Sequence, residues 1–198
     1  MKIIDCEQGS KEWDKIRCGI PTASNFDKII TASGMPSTQR DKYLYRLAGE
    51  RITKCPETTY QSEAMLRGQQ LEDEARKYYE FATGVKVKRV GFCLEANPGY
   101  GCSPDGMVVS NGLIEIKCPI MSTHVSYLLK NKLPAEYWQQ TQGQLLVTGY
   151  KWVDFVSYFP GMKPLIIRVK PDKAFQVKLK KELVLFCAEL DKIVRRIR

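Results

Sequence analysis

The sequence predicts an α/β fold in which helices cover the faces of a mixed central sheet. Three observations lead to this prediction. The first 82 residues show the apolar spacing of amphipathic helices, the pattern changes to strand-like alternation near residue 85, and two more strands follow a pair of helices. The order is helices, three strands, two helices, two strands and a final helix. Since no repeat, low-complexity tract or long linker interrupts it, residues 1–198 are predicted to form a single domain.

The N-terminal part is predicted to contain four helices. Ser10 is a suitable cap for the first, and Thr22 or Ser24 for the second. A third follows the loop "ASGMPSTQ", and a longer fourth runs from about Ser62 to Ala82. The first three helical segments read "GSKEWDKIRCG", "FDKIITA" and "RDKYLYRLAGERITK".

The remainder alternates between strand and helix patterns. We expect strands in "VKVKRVGFCLE", "GMVVS" and "LIEIKCP", with "SNG" as the tight turn between the last two. Two helices follow in "STHVSYLLKN" and "AEYWQQTQGQLLVTG", and Gly149 ends the second. Strands in "KWVDFVSYF" and "PLIIRVK" precede a final helix that begins near Pro171.

Composition narrows the class of protein. The chain is 43% hydrophobic and 27% charged, as ordinary globular proteins are. It has no apolar run of the roughly 18 residues that a membrane span needs, and "MKIIDCEQGS" has no hydrophobic signal core. Seven scattered cysteines without a CxxC pair argue against a disulfide scaffold or a zinc ribbon. We therefore expect a cytoplasmic protein and no membrane partner.

The formal net charge of +9 is unevenly distributed. Residues 163–198 hold eleven Lys and Arg but four Asp and Glu. A basic C-terminal segment on an otherwise balanced domain indicates a polyanionic partner, most simply nucleic acid. A solvated, lysine-rich helix face is the alternative that charge alone leaves open.

A hairpin in "GCSPDGMVVSNGLIEIKCP" carries the candidate chemistry. Asp105 and Glu115 lie at matching distances from the turn, so the two strands bring them together. Two converging carboxylates repel each other unless a cation lies between them, and oxygen ligands favour Mg²⁺ or Mn²⁺. Lys117 shares a strand face with Glu115 and can stabilise charge that develops in phosphodiester cleavage. The alternative is a surface hairpin with weak salt bridges.

Two helices supply further candidates. Glu72 lies at the buried edge of the long helix and can provide a third inward carboxylate, whereas Asp73 and Glu74 are expected to be solvated. Gln140 and Gln144 lie one turn apart on a helix that must pack on the sheet. A buried amide there needs a partner. A nucleophilic water, a scissile phosphate and the protein backbone all remain open as that partner.

Five motifs together resemble a known family. The segments "EWDKIRCGIPTASNF", "RGQQLE", "CSPDG", "LIEIKCP" and "YWQQTQGQLLVTG" are similar, in order and spacing, to the phage lambda exonuclease, or viral recombinase, family of the PD-(D/E)xK nuclease superfamily. The resemblance covers roughly residues 8–160. It implies a restriction-endonuclease-like core and a Mg²⁺-dependent enzyme that degrades the 5′ strand of linear double-stranded DNA to 5′ mononucleotides. It also implies a homotrimer around DNA and a single-strand annealing protein as partner.

The resemblance assigns roles to individual residues. It implies that Lys117 positions or activates water and that Gln140 contacts the water or the phosphate. Arg17, Ser24 and Ser103 match residues that hold the terminal 5′-phosphate, and Trp13 is expected to line the DNA path. The implied metal ligands are Asp105, Glu115, the Ile116 carbonyl and Glu72.

One departure from the family pattern affects the phosphate pocket. After "IKCP" this chain reads "IMSTHVS", with Thr123 and His124 where the lambda enzyme has an arginine. Histidine does not grip a phosphate bidentately as a guanidinium does. The 5′-phosphate preference is therefore expected to be weaker, or to depend on another basic residue such as Arg40. An endonuclease of the same superfamily and a non-catalytic DNA-binding or annealing module remain alternative functions.

Overall fold

The computed structural model describes residues 1–57, 62–97, 99–109 and 111–198. The α-helices are α1 (Lys11–Arg17), α2 (Arg40–Thr53), α3 (Glu63–Thr83), α4 (Met121–Lys130), α5 (Trp138–Thr148) and α6 (Lys173–Ile197). The strands are β1 (Lys2–Ile4), β2 (Val87–Lys88), β3 (Phe92–Glu95), β4 (Tyr100–Cys102), β5 (Gly106–Val108), β6 (Gly112–Lys117), β7 (Trp152–Ser157) and β8 (Leu165–Val169). Short 3₁₀ helices span Ala23–Lys28 and Ala135–Tyr137.

The central sheet has five strands in the order β2-β5-β6-β7-β8. Strands β6 and β7 are parallel, and the other neighbours are antiparallel. Parallel neighbours need a crossover, which α4 and α5 supply between β6 and β7. The predicted mixed sheet flanked by helices is confirmed.

Alternation along β6 decides which helices cover each face. Ile114 and Ile116 pack with Ala75 and Tyr79 of α3. Leu113 belongs to the cluster that contains the buried residues of α5 and α6. Because side chains alternate along a strand, the odd-numbered positions of β6 face away from α3.

A second, three-stranded sheet in the order β1-β3-β4 was not predicted. The segment "VKVKRVGFCLE" was expected to be one strand, but it divides between the sheets, β2 joining the large one and β3 the small one. Gly91 lies at the division. A Cβ there would come within 2.5 Å of the Ile4 carbonyl oxygen, so only glycine allows β1 to approach so closely.

Most predicted helix ends are confirmed. Ser10 accepts a hydrogen bond from Trp13 N at 3.2 Å, and α5 ends at Gly149 with φ of 70°. The helix expected after Thr22 is instead a six-residue 3₁₀ turn without a side-chain cap. In the predicted "SNG" turn, Asn111 adopts a positive φ of 60°, and Ser110 lies outside the described residues.

The long basic helix α6 is a structural element of the core. One face buries residues that pack with α2 and α5, while its lysines lie on the solvent side. Arg51 and Asp191 form an ion pair of 2.5 Å between α2 and α6. No helix in the described ranges is long and apolar enough to cross a membrane.

Candidate active site

The β5–β6 hairpin places Asp105 opposite Glu115. Gly106 pairs with Ile114, and Asp105 N donates to the Ile114 carbonyl at 3.2 Å, so Asp105 is the next residue in the same register. Its Oδ2 accepts a hydrogen bond from Ile116 N at 2.5 Å. The structure therefore brings the two carboxylates together, as their distance from the turn predicts.

Glu115 is a buried carboxylate surrounded by donors. Its side chain is 2% exposed, and Lys117 Nζ lies 2.6 Å from Oε1. Gln140 donates to Oε1 at 2.6 Å, and Gln144 donates to Oε2 at 2.5 Å. The partner of the half-buried Gln140 amide and of the buried Gln144 amide is thus Glu115 itself, rather than the backbone. These contacts hold Glu115 in one orientation at the middle of the sheet.

Lys117 is held as a cation in this arrangement. Burial alone lowers its pKa, but the charges of Glu115 and Asp105 outweigh that effect and raise the pKa above its ordinary value. The ammonium also lies 5.3 Å from the centre of the Tyr137 ring. A lysine with a raised pKa donates hydrogen bonds and stabilises negative charge, but it does not accept a proton near neutral pH.

Asp105 lies in an environment that opposes its ionisation. Burial raises its pKa well above the usual range, and the nearby charges of Glu115 and then Glu72 raise it further. The charge of Lys117 and the hydrogen bond from Ile116 act in the other direction without cancelling the shift. A cation bound here would remove this electrostatic cost.

Glu72 is near this pair but points to a different partner. Arg76 NH2 lies 2.6 Å from Glu72 Oε1, and the same guanidinium contacts Asp73 and donates to the Asp105 carbonyl at 3.3 Å. Arg76 is buried and was not identified from the sequence, although its spacing of four residues from Glu72 is that of a helical ion pair. The expected third inward carboxylate is therefore neutralised by Arg76 here. Glu74, expected to be solvated, accepts from the Tyr158 hydroxyl at 2.5 Å.

The carboxylate pair has the chemistry of a site for a hard divalent cation. Within residues 1–57, 62–97, 99–109 and 111–198, no group of three or more His, Cys, Asp and Glu side chains is arranged to hold a metal. The available donors are Asp105, Glu115 and backbone oxygen. All are oxygen donors, and the two like charges are crowded, so the set fits Mg²⁺ or Mn²⁺ better than a softer metal.

A cavity of about 990 Å³ opens beside Asp105. Helix α3 contributes Glu72 and Arg76 to one wall, and the segment 5–9 contributes another. Gln8, which sequence reasoning missed, donates to the carbonyls of Val90 at 2.8 Å and Pro104 at 2.9 Å. The N-terminal segment is thereby fastened next to the carboxylates.

The N-terminal motif forms a cluster at the same cavity. Trp13 lines it, and its Nε1 donates to Ser103 Oγ at 2.9 Å. The Arg17 guanidinium carbon lies 3.6 Å from the Trp13 ring centre. Arg17 Nε is buried and has no hydrogen-bond partner among the described residues, and burial lowers the pKa of this arginine. Trp13, predicted to line the DNA path, thus contacts two of the predicted phosphate-pocket residues, Arg17 and Ser103.

Ser24 lies at the start of the first 3₁₀ helix. Its Oγ is 3.3 Å from Thr22 Oγ1, and Thr22 forms a parallel bridge with Gly101 of β4, two residues before Ser103. The expected helix N-terminus is therefore a short 3₁₀ turn, and its dipole is too weak to support an anion site by itself. Side chains would therefore have to provide any anion binding at this turn.

Comparison with known proteins identifies the family. The profile of the YqaJ-like viral recombinase domain matches residues 12–151. The chain belongs to this family. Solved structures agree with this assignment. The alkaline exonuclease LHK-Exo from Laribacter hongkongensis, which has also been solved in complex with dAMP, is 35% identical to this chain. The two structures superpose with a TM-score of 0.87, and the match covers 95% of this chain and 96% of that one.

More distant likeness supports the fold of this viral recombinase domain. A phage-related exonuclease from Haemophilus somnus 129PT is 15% identical, with a TM-score of 0.71 over 90% of this chain and 96% of that one. No curated protein matches the chain significantly. The family match spans the N-terminal motif, the hairpin and α5, so every predicted site residue lies within it.

Two side chains considered for phosphate binding in this viral recombinase domain are engaged elsewhere. Arg40 pairs with Glu189 of α6 at 2.6 Å and lies over the Phe186 ring. It therefore joins α2 to α6 and does not line the cavity beside Asp105. His124 is fully buried, with Nδ1 2.8 Å from Ser157 Oγ and Nε2 3.1 Å from the Lys163 carbonyl. Neither side chain is therefore placed to bind a phosphate in the role of the arginine that is missing from "IMSTHVS".

Proposed function

We propose that this viral recombinase domain is a Mg²⁺-dependent 5′-to-3′ exonuclease on linear double-stranded DNA, with Mn²⁺ able to substitute. It would release 5′ mononucleotides and leave 3′ single-stranded overhangs for recombination by strand annealing. Family membership and the 35% identical alkaline exonuclease indicate a nuclease. The observation that carries the proposal is the pair of buried Glu115 and half-buried Asp105, with Lys117 on Glu115 and with Asp105 at the wall of a large cavity.

Each residue of the pair has a role that follows from its contacts. Asp105, Glu115 and the Ile116 carbonyl would hold the cation, with Glu72 available if it leaves Arg76. When bound, Mg²⁺ supplies a Lewis acid for phosphodiester hydrolysis. Lys117, being protonated, would donate to the attacking water or to a phosphate oxygen and stabilise negative charge. Gln140 would keep Glu115 oriented and lies close enough to this site to contact the same water or phosphate.

The end-recognition role is proposed for the N-terminal cluster. Arg17 is half-buried, and its Nε lacks a partner within the described ranges. Its guanidinium lies over Trp13, which lines the cavity and donates to Ser103. A terminal 5′-phosphate carries more negative charge than an internal phosphodiester and would satisfy this guanidinium. Ser24 would add a hydroxyl from the neighbouring turn.

The assembly and its setting are also proposed. By family resemblance we propose a homotrimer that encircles DNA and a single-strand annealing protein as partner. The cytoplasm is the proposed location, and the seven free thiols of the described chain suit a reducing compartment. Mass measurement by light scattering with and without linear duplex tests the trimer.

One experiment separates the candidate functions. End-labelled linear duplex and closed circular duplex are incubated with the protein in Mg²⁺ and, separately, in EDTA. We expect mononucleotides from 5′ ends of linear DNA in Mg²⁺, intact circles, and no product in EDTA. Cleaved circles would instead identify an endonuclease. Binding of DNA without any product, in Mg²⁺ and in EDTA alike, would identify a non-catalytic DNA-binding module.

A further inference from the structure

A second cavity, of about 720 Å³, lies between the start of α5 and the start of α6. None of its lining residues also lines the cavity beside Asp105. Its floor is apolar: Leu133 and Trp138 from the α4–α5 segment meet Val169 and Phe175 from the β8–α6 segment. The volume is that of an ordinary ligand or peptide pocket. This cavity is large enough to hold a ligand and is separate from the nuclease site.

The rim of this second cavity is cationic. Lys132, Lys170 and Lys178 line it and are exposed. Among the described residues that line it, Asp172 is the one carboxylate, and it caps α6 by accepting from Phe175 N at 2.9 Å. An apolar floor beneath a lysine rim complements a ligand that carries both carboxylates and a large apolar side chain.

The geometry of the floor disfavours single-stranded DNA as the occupant. Stacking of bases needs an exposed aromatic face. Trp138 is half-buried and packs against Phe175, with ring centres 5.6 Å apart and a tilt of 57°. The fourth cation, Arg168, is already bound by both oxygens of Asp154 at 2.8 and 2.9 Å. The lysines that remain are point charges suited to single carboxylates.

We propose that this second cavity is a docking site for an acidic peptide segment of a partner protein, with an aromatic or large aliphatic side chain seated on the floor. The lysine rim binds the carboxylates, and Leu133 and Trp138 contact the apolar side chain. The proposal does not depend on nuclease activity, because binding is measured without DNA.

Ala174 provides a sharp test. It lines the cavity, is exposed, and is the second residue of α6. Glutamate is favoured in the first turn of a helix, so Ala174→Glu should fold normally while placing a negative charge in the cavity. Ala174→Gln has nearly the same shape without the charge and is the matched control.

Binding is measured by fluorescence anisotropy of a labelled aspartate-rich peptide that ends in leucine and phenylalanine. Ala174→Glu should weaken binding about tenfold or more, and Ala174→Gln by less than about threefold. Lys132→Gln combined with Lys170→Gln should weaken it as well, whereas Lys181→Gln, on α6 outside the cavity, should not. DNA digestion by every variant should match that of the wild type.

Control probes make the proposal falsifiable. One control peptide has asparagine in place of aspartate, and the other has serine in place of leucine and phenylalanine. Neither peptide should show saturable binding. Equal binding of these control peptides would overturn the proposal. Binding of oligothymidylate that is abolished by Ala174→Glu would also overturn the proposal, because the cavity would then be a nucleic-acid site. Loss of self-association in Ala174→Glu, measured by sedimentation velocity, would show that the occupant is a second copy and would also overturn it.

Discussion

Gln144 donates its buried side-chain amide to Oε2 of Glu115 at 2.5 Å. The contact joins the crossover helix α5 to the central strand β6 and fixes one oxygen of the candidate metal ligand. Replacing a donor to a buried carboxylate should cost roughly 1.5–3 kcal/mol of the free energy of unfolding and tenfold or more in metal affinity. We expect Gln144→Leu to show both losses, in urea unfolding and in calorimetric Mn²⁺ titration.

Gln142 is the matched control for this first prediction. It lies on the same helix but donates to the Lys170 carbonyl at 2.9 Å and accepts from Asp172 N at 2.8 Å. Gln142→Leu should therefore destabilise the protein while leaving Mn²⁺ affinity unchanged. If both variants lose Mn²⁺ affinity equally, the effect is general loosening of α5 and not orientation of Glu115.

Asp105→Asn should stabilise the metal-free protein. Its folded-state pKa is raised by burial, by Glu115 and by Glu72, so ionisation opposes folding at neutral pH. Asparagine removes the charge and keeps an oxygen for Ile116 N, which should add about 1–3 kcal/mol to the free energy of unfolding in EDTA at pH 8.

The pH dependence of that gain follows from the sign of the shift. The wild type loses stability as pH rises from about 4, the ordinary pKa of a carboxyl group, toward the raised pKa that Asp105 has in the folded state. The difference between the variant and the wild type should therefore shrink as pH falls toward about 4. If Asp105→Asn is less stable than the wild type at pH 8, ionisation of Asp105 does not lower the free energy of unfolding.

A divalent cation should stabilise the wild type through the same two carboxylates. Mn²⁺ at about 100 times its dissociation constant should add about 2.7 kcal/mol to the free energy of unfolding, visible as a rise in the melting temperature. Asp105→Asn and Glu115→Gln should abolish the rise, while Asp191→Asn, in the ion pair between α2 and α6, should retain it. An equal rise in all three variants would place the cation elsewhere.

Arg17→Ala should reduce the preference for 5′-phosphorylated over 5′-hydroxyl duplex ends. The loss of one charge-assisted contact corresponds to about 1.5–3 kcal/mol, or about ten- to hundredfold in relative initial rate. We expect the lower end, because Thr123 and buried His124 offer no second guanidinium. Lys15→Ala, on the exposed face of α1, is the control. Wild-type rates that are equal on both ends would contradict the proposed phosphate pocket.

The ion pair of buried Asp154 and exposed Arg168 should respond asymmetrically to substitution. Asp154 is 2% exposed and Arg168 is 53% exposed. Arg168→Gln leaves a buried carboxylate with the Tyr79 hydroxyl at 2.8 Å as its remaining described partner, which should cost roughly 2–4 kcal/mol. Asp154→Asn combined with Arg168→Gln should cost less than Arg168→Gln alone in chemical denaturation. Additive losses would show that the two side chains do not interact.

Local pattern alone predicted the hairpin, most helix ends and the shared strand face of Glu115 and Lys117. These features depend on residues close in sequence, where periodicity, capping and distance from a turn determine the geometry. The meeting of Asp105 and Glu115 is of this kind, since it needs only the register of two adjacent strands.

Contacts between distant segments were decided by the tertiary structure. Nothing local shows that Gln144 meets Glu115, that Arg76 neutralises Glu72, or that the buried site of His124 lies between Ser157 and Lys163. The same is true of Gly91, whose closeness to Ile4 divides a predicted strand between two sheets. A buried polar group must find a partner, but the sequence states only that requirement. Packing of helices against the sheet selects which of several possible partners is within hydrogen-bonding distance.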